Sequence, residues 1–224
     1  MNRKPVVAAI LLTAALSVVA AQSTGVHPIS GRRFAAVMDA SGASWLDRSE
    51  RDIEEAPDDA LDLIGVKKGA TVADIGAGSG YMTVKLAKRV GANGVVYATD
   101  IQPGMIELLD KRVKSAKLAN VRTILGAVDD PKLPPGAIDM ALMVDVYHEL
   151  SQPQAMLRRI QEALKPGGRL VLLEYRKEDP SIPIRPEHKM SVAEAKLELE
   201  AEGFKLARVD DGLPRQHVLI FTKR

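Results

Sequence analysis

The sequence predicts an α/β fold: a three-layer sandwich with helices on both faces of a mostly parallel, seven-stranded sheet. Three observations lead to it. From Ala70 onward, short apolar runs with strand character alternate with helical stretches, the pattern of consecutive βα units. The runs are hydrophobic almost throughout, as strands covered on both faces are. The chain then closes with two strand-like segments, Phe204–Val209 and Val218–Thr222, around the turn Asp210–Pro214. A link that short permits only an antiparallel pair.

The elements follow in order. Arg3 and Lys4 precede an apolar run from Val6 to Ala21, broken by Thr13 and Ser17, with small residues at Ala20 and Ala21. This reads as a signal peptide over 1–21, removed after Ala21, and export to a periplasmic or secreted location is expected. The run is shorter than the ~20 apolar residues of a membrane span; an uncleaved anchor is the alternative. Residues 22–57 read as a loop and helical extension over the site, with a short helix near Phe34–Met38 and a helical stretch from Trp45 broken at Pro57. Pro57 suits the start of a second helix, with carboxylates in its first turn. The main domain is expected over 58–224. Its strands are Thr71–Ile75, Val95–Thr99, Val121–Leu125, Met140–Val144 and Leu170–Glu174, followed by the closing pair. Helices are expected from Met82 to about Val90, Pro103 to Ala116, Pro153 to Leu164, and from a Ser191 cap to Glu202. Lys165-Pro166-Gly167-Gly168 and Gly203 act as stops.

Composition narrows the function classes. A chain of 224 residues with 46% hydrophobic and 27% charged residues can bury a substantial core. The net charge is +2, and setting aside Arg3 and Lys4 leaves basic and acidic residues in balance, so no nucleic-acid partner is expected. There is no cysteine, which excludes disulfides and cysteine-linked lipid and leaves an oxidising compartment permissible. Contact with a membrane is expected only through the leader, and the oligomeric state is not legible.

The most informative stretch is Val72-Ala73-Asp74-Ile75-Gly76-Ala77-Gly78-Ser79-Gly80-Tyr81: a buried strand ending in a carboxylate, then a glycine turn opening into a helix. Such a turn lets the backbone approach a ligand closely, and the helix start offers free N–H groups and positive dipole. The glycines run G-x-G-x-G, with Tyr81 where the dinucleotide fingerprint G-x-G-x-x-G places its third glycine. Asp74, two positions before the turn, disfavours a pyrophosphate and suits a ligand bearing an ammonium group.

These residues resemble the first motif, (D/E)xGxGxG, of the class I S-adenosylmethionine-dependent methyltransferases. The resemblance covers about Asp58 to the C-terminus and implies strand order 3-2-1-4-5-7-6 with the last strand antiparallel. It also implies S-adenosyl-L-methionine as cofactor. Asp74, Gly76, Gly78, Gly80 and Tyr81 would then form the turn and the site for the amino-acid end. Asp100, 20 residues after Gly80, would accept both ribose hydroxyls, a role that serves equally in NAD enzymes. Ile101 would face the adenine. The segment Gly126-Ala127-Val128-Asp129-Asp130-Pro131-Lys132-Leu133-Pro134 is similar to the family's G-D-A-x-x-L-P but longer; it aligns Asp129 with the adenine amino group and leaves Asp130 as an alternative. Lys165–Leu170 also resembles the family's turn before strand five.

Asp145-Val146-Tyr147-His148-Glu149-Leu150 follows strand four and marks the chemical end of the site. Asp145 joins the strand-end carboxylates. His148 suits a general base, Tyr147 the lining of the methyl-donor pocket, and Glu149 either the orientation of the imidazole or a cationic substrate. The alternative is that His148 caps the connection and Tyr147 packs. His27, Asp179, Glu187 and His188 form no compact ligand spacing, so no metal is expected. Arg48, Arg51 and Glu55 share a helical face, read as a solvated charged surface. The expected activity is methyl transfer to a small-molecule acceptor. A non-catalytic exported nucleotide-binding module and an NAD-type oxidoreductase are the rivals. Export sits awkwardly with a cofactor made in the cytoplasm.

Overall fold

A computed structural model of the protein describes residues 25–223. The expected leader, 1–21, lies outside the described residues. Among the described residues, no helix is long and apolar enough to cross a membrane.

The strands are β1 (Thr71–Ile75), β2 (Val95–Asp100), β3 (Val121–Leu125), β4 (Ile138–Val144), β5 (Leu164–Tyr175), β6 (Phe204–Asp210) and β7 (Gln216–Lys223). They form one sheet in the order β3-β2-β1-β4-β5-β7-β6. The pairs β1–β2, β2–β3, β1–β4 and β4–β5 are parallel. β7 runs antiparallel to both β5 and β6. The expected topology is therefore the observed one.

The helices are α1 (Ala43–Leu46), α2 (Arg51–Glu55), α3 (Pro57–Ile64), α4 (Tyr81–Val90), α5 (Pro103–Ser115), α6 (Pro153–Ala163) and α7 (Val192–Ala201). Proline opens α3, α5 and α6, where its missing N–H has no intrahelical partner to lose. Ser191 caps α7 by accepting from Glu194 N, and the Glu194 carboxylate in turn accepts from Ser191 N in a capping box.

Alternation along the strands splits the core into two layers. Val72, Val96, Ala98, Leu142, Val171 and Leu173 join the layer under α3, α4 and α5. Ala73, Ile75, Ala141, Met143, Leu170 and Leu172 join the opposite one, with Leu157 and Ile160 of α6 and Leu199 of α7. Burying each such Leu or Ile side chain contributes about 1.5–3 kcal/mol.

Three local expectations are corrected. No helix forms at Phe34–Met38; instead Asp39 caps a 3-10 turn at Ala40–Gly42 that leads into α1. The stretch after Trp45 is two short helices, because α1 stops at Leu46 and the chain turns before α2. Leu164 belongs to β5 rather than α6: it pairs with Ile138, and the next partner of β4 is Arg169 opposite Met140. Lys165–Gly168 is thus looped out within the strand. Gly167 takes φ 75°, and a Cβ on Gly168 would lie 2.9 Å from the Lys165 carbonyl oxygen and 3.0 Å from that of Ile138.

That bulge yields a ranking. Gly167→Ala meets open space and should cost only left-handed strain, about 1 kcal/mol. Gly168→Ala drives a methyl into two backbone carbonyls and should cost about 3 kcal/mol. Urea unfolding of both variants measures the order; equal midpoints would count against the bulge.

Candidate functional site

The order of strands reverses between β1 and β4, and the crevice beyond their carboxyl ends is where such sheets take ligands. The glycine turn follows β1 and the Asp145–Leu150 segment follows β4, so both predicted segments sit at that switch. The turn is anchored to β2: the N–H groups of Gly76 and Ala77 both donate to Thr99 O, at 2.8 and 2.9 Å. Gly76 adopts φ 72°, and an added Cβ would lie 2.5 Å from Val146 Cγ2. Gly80 adopts φ 88°, with Leu109 Cδ1 in the same relation at 2.5 Å. Left-handed backbone and close packing thus require glycine at both places.

Asp74 is buried beneath the turn, and its Oδ2 accepts a 2.5 Å hydrogen bond from the Thr83 hydroxyl in the first turn of α4. Burial pushes its carboxyl up to about 6, only partly opposed by Thr83 and Arg51. Asp100, also buried, accepts from Gly78 N at 3.0 Å and from Gln102 N at 2.9 Å. Desolvation still raises its pKa above the usual carboxylate value. The glycine turn and the strand-end carboxylate of β2 are therefore one hydrogen-bonded unit. Ile101 beside it is exposed.

Beyond β4, Asp145 takes φ 54°, a left-handed conformation that aspartate adopts more readily than most residues with a side chain. Its Oδ2 accepts from Gln216 Nε2 at 2.8 Å, while Oδ1 is buried with no hydrogen-bond partner. Burial, then Glu55 and Glu174, push its pKa well up. His148 is 1% exposed, and its Nδ1 lies 2.6 Å from Glu174 Oε2; Glu174 Oε1 accepts from Tyr147 N at 2.8 Å. Burial works to lower the pKa of His148, but Glu174, with Glu149 and Asp145, outweighs it and holds it above the usual histidine value. Burial carries Glu149 up to about 7. Glu174, not Glu149, orients the imidazole. Its position was legible, since it ends β5 as Asp74 and Asp100 end their regions of β1 and β2.

Tyr147 requires a correction. Its side chain is fully buried in the core layer with Ile75, Met143 and Leu157, and Arg32 Cζ stands 5.7 Å from its ring centroid. It packs in the core, away from a pocket wall. Asp129 is exposed and lines a surface depression with Ala155, Arg158, Arg159 and Glu162. Asp130 accepts from Lys132 N at 2.7 Å and lies 4.0 Å from Arg159 Nε. Neither is drawn into the carboxylate cluster.

Residues 25–56 cross the strand ends. Ala35 N donates to His148 O at 3.1 Å, and Gln102 Nε2 to Met38 O at 2.8 Å. Leu46 Cδ1 lies 2.9 Å from where a Cβ on Gly78 would be. Asp47 accepts from Ser79 Oγ at 3.1 Å, and Asp52 accepts from the Tyr81 hydroxyl. The solvated-face reading of Arg48, Arg51 and Glu55 is overturned. Arg51 and Glu55 are 6% and 3% exposed, joined Nε to Oε2 at 2.7 Å. Arg51 Cζ sits 4.4 Å from the Tyr81 ring centroid, and Glu55 Oε1 accepts from Arg48 and from the Tyr175 hydroxyl. Helical spacing showed that these residues share a face but not what that face meets. Farther along, Arg32 forms a buried fork on Glu198 of α7, at 3.1 and 3.0 Å.

Comparison with known proteins fits this geometry. Residues 72–168 match the family model described as "Methyltransferase domain". The fold is similar to that of a SAM dependent methyltransferase from Aquifex aeolicus, with TM-score 0.78 and 30% identity over 83% of this chain and 98% of that one. A ubiquinone/menaquinone biosynthesis C-methyltransferase, UbiE, from Idiomarina loihiensis is 30% identical over 118 residues, 52% of this chain and 47% of that protein. A demethylmenaquinone methyltransferase from Geobacillus sp. is 29% identical over 117 residues, 52% of this chain and 50% of that protein. The chain thus spans about half the length of the curated relatives it matches.

Asp74 supplies a pH test. Its folded pKa of about 6 lies above the ordinary aspartate value of 3.8, so between those pH values the native state holds a proton that the unfolded state has lost. Stability should therefore fall as pH rises from about 4 to 6, by about 3 kcal/mol at 1.36 kcal/mol per unit. Asp74→Asn removes this contribution. Urea unfolding across pH 4–7 should show the wild type losing stability relative to the variant as pH rises, and parallel curves would refute it.

Proposed function

Because the chain belongs to the S-adenosylmethionine-dependent methyltransferases, we propose that it transfers a methyl group to a small-molecule acceptor. The observation that carries this reading is the meeting of the glycine turn, Asp100 and a buried carboxylate oxygen of Asp145 without a partner at one switch in strand order.

The residues fit the cofactor. S-Adenosylmethionine, when bound, supplies a methyl group on a cationic sulfur. Asp100 suits ribose hydroxyls, since it already faces the turn and has acceptor capacity beyond its two backbone partners. Asp145 keeps a buried oxygen without a partner, and Glu149 stands half-buried after the same strand; such carboxyl oxygens suit a cationic or hydrogen-bond-donating ligand better than a phosphate. Asp74 supports the turn from below through Thr83. His148, tied through Nδ1 to Glu174, has Nε2 as the nitrogen with which it can take a proton from an acceptor when no ion is bound there. An acceptor that arrives ionised needs only positioning.

Support for a small acceptor is the near-neutral charge and the similarity to the two quinone-biosynthesis methyltransferases. Arg3 and Lys4 ahead of the apolar run from Val6 to Ala21 support export behind a signal peptide over 1–21. N-terminal sequencing of the expressed protein should find a start near Gln22, and an intact Met1 counts against cleavage.

Titration calorimetry tests the cofactor. S-Adenosylmethionine and S-adenosylhomocysteine should bind and NAD should not; tight NAD binding with neither adenosyl compound would sink the reading. Asp100→Ala should weaken cofactor binding about 10- to 100-fold, as expected for lost hydrogen bonds to a charged group. Unchanged affinity would refute the ribose role. Binding without turnover over a broad acceptor panel would favour a binding module.

A further inference from the structure

We propose that His148, Glu149 and His188 form a binding site for a divalent ion with the ligand preferences of zinc, beside the carboxyl end of β4. One ligand atom from each residue falls within 4.8 Å of the others. His148 Nε2 is 3.2 Å from His188 Nδ1, and Glu149 Oε1 is 4.0 Å from the first and 3.9 Å from the second. Two nitrogens held 2.0–2.1 Å from a tetrahedral ion stand about 3.3 Å apart. The imidazole pair is therefore already at the span that an ion needs, and the carboxylate must close by less than about 1 Å to complete the set.

The surroundings orient these ligands as metal sites do. Glu174 Oε2 sits 2.6 Å from His148 Nδ1 and accepts from that proton-bearing nitrogen of the neutral ring, so that Nε2 is the atom left to bind an ion. Glu174 is itself fixed, fully buried and accepting from Tyr147 N through its other oxygen. His188 comes from the proline-rich loop after β5. That loop is held by Lys189 Nζ on Asp179 O at 2.9 Å and by Met190 N on Tyr175 O at 2.9 Å. Glu149 and His188 are half-buried, so the site faces outward on one side while His148 and Glu174 close the other.

Two imidazoles and one carboxylate suit zinc and its neighbours rather than magnesium or calcium, which take oxygen ligands. Three protein ligands leave a fourth position open, the arrangement of a site that handles substrate rather than one that only holds a fold together. The ion would also tie the loop carrying His188 to the end of β4. Its use in holding an oxygen or nitrogen of the acceptor rests on the methyltransferase reading; its existence does not.

The test uses the full chain, stripped with chelator and then dialysed against Zn²⁺, with bound metal counted by mass spectrometry. One ion per chain is expected, and Co²⁺ in its place should give the visible absorption of a four-coordinate site. His188→Ala, on an outer loop, and Glu149→Gln should each weaken Zn²⁺ binding at least 10-fold. Glu174→Gln should weaken it about 10- to 100-fold, with circular dichroism unchanged. No bound zinc, or zinc affinity unaltered in both His188→Ala and Glu149→Gln, would overturn the proposal. Cofactor calorimetry on the same samples keeps the two readings apart. Zinc without adenosyl binding sinks only the methyltransferase reading, and adenosyl binding without zinc sinks only the metal site.

Discussion

The site is organised around a concentration of carboxylates withdrawn from water. Asp74, Asp100, Asp145, Glu149 and Glu174 gather at the ends of β1, β2, β4 and β5, joined by Glu55 from α2. Arg51 and Arg48, both paired with Glu55, and His148, paired with Glu174, oppose them with positive charge or a proton. Removing a charged carboxylate from water is costly, and the protein meets that cost in several ways. Thr83, Gly78, Gln102 and Gln216 donate hydrogen bonds, and the pKa values of Asp74, Asp100, Asp145 and Glu149 rise. What remains is a crevice rich in carboxyl groups with an oxygen of Asp145 unsatisfied, which suits a cation or a hydrogen-bond donor from outside the chain.

The N-terminal segment is shaped by the same constraint. Arg51 enters the cluster from α2, bonded to Glu55 and stacked on Tyr81, so the segment contributes the charge that the strand ends lack. It is fastened at both sides of the sheet: Arg32 to Glu198 of α7 on one, Asp47 to Ser79 and Arg112 on the other. Leu46 rests on the glycine turn between these anchors. A segment so placed lies directly against the turn.

Reading by strand ends was productive because parallel strands place their last residues in one plane. Asp74, Asp100, Asp145 and Glu174 are far apart in sequence yet adjacent in the sheet for that reason alone. The topology was legible from the alternation of apolar runs and from the short closing turn. Periodicity was silent on which face of a residue meets which neighbour. Tyr147 and His148 are consecutive, yet one packs into the core and the other meets Glu174 and His188. The Arg48–Glu55 face resembled any charged helix surface because only the docking of α2 over the strand ends buries it.

By itself, the sequence determined the order of elements, the glycine turn and the carboxylates that close the strands. Each is a local property: hydrophobic period, permitted backbone angles, or position in a βα unit. The tertiary structure alone decided which charges are buried together, that Glu174 holds His148, and that His188, forty residues away, comes to its other nitrogen. Those facts depend on the packing of distant loops at one end of the sheet, and no spacing along the chain records that packing.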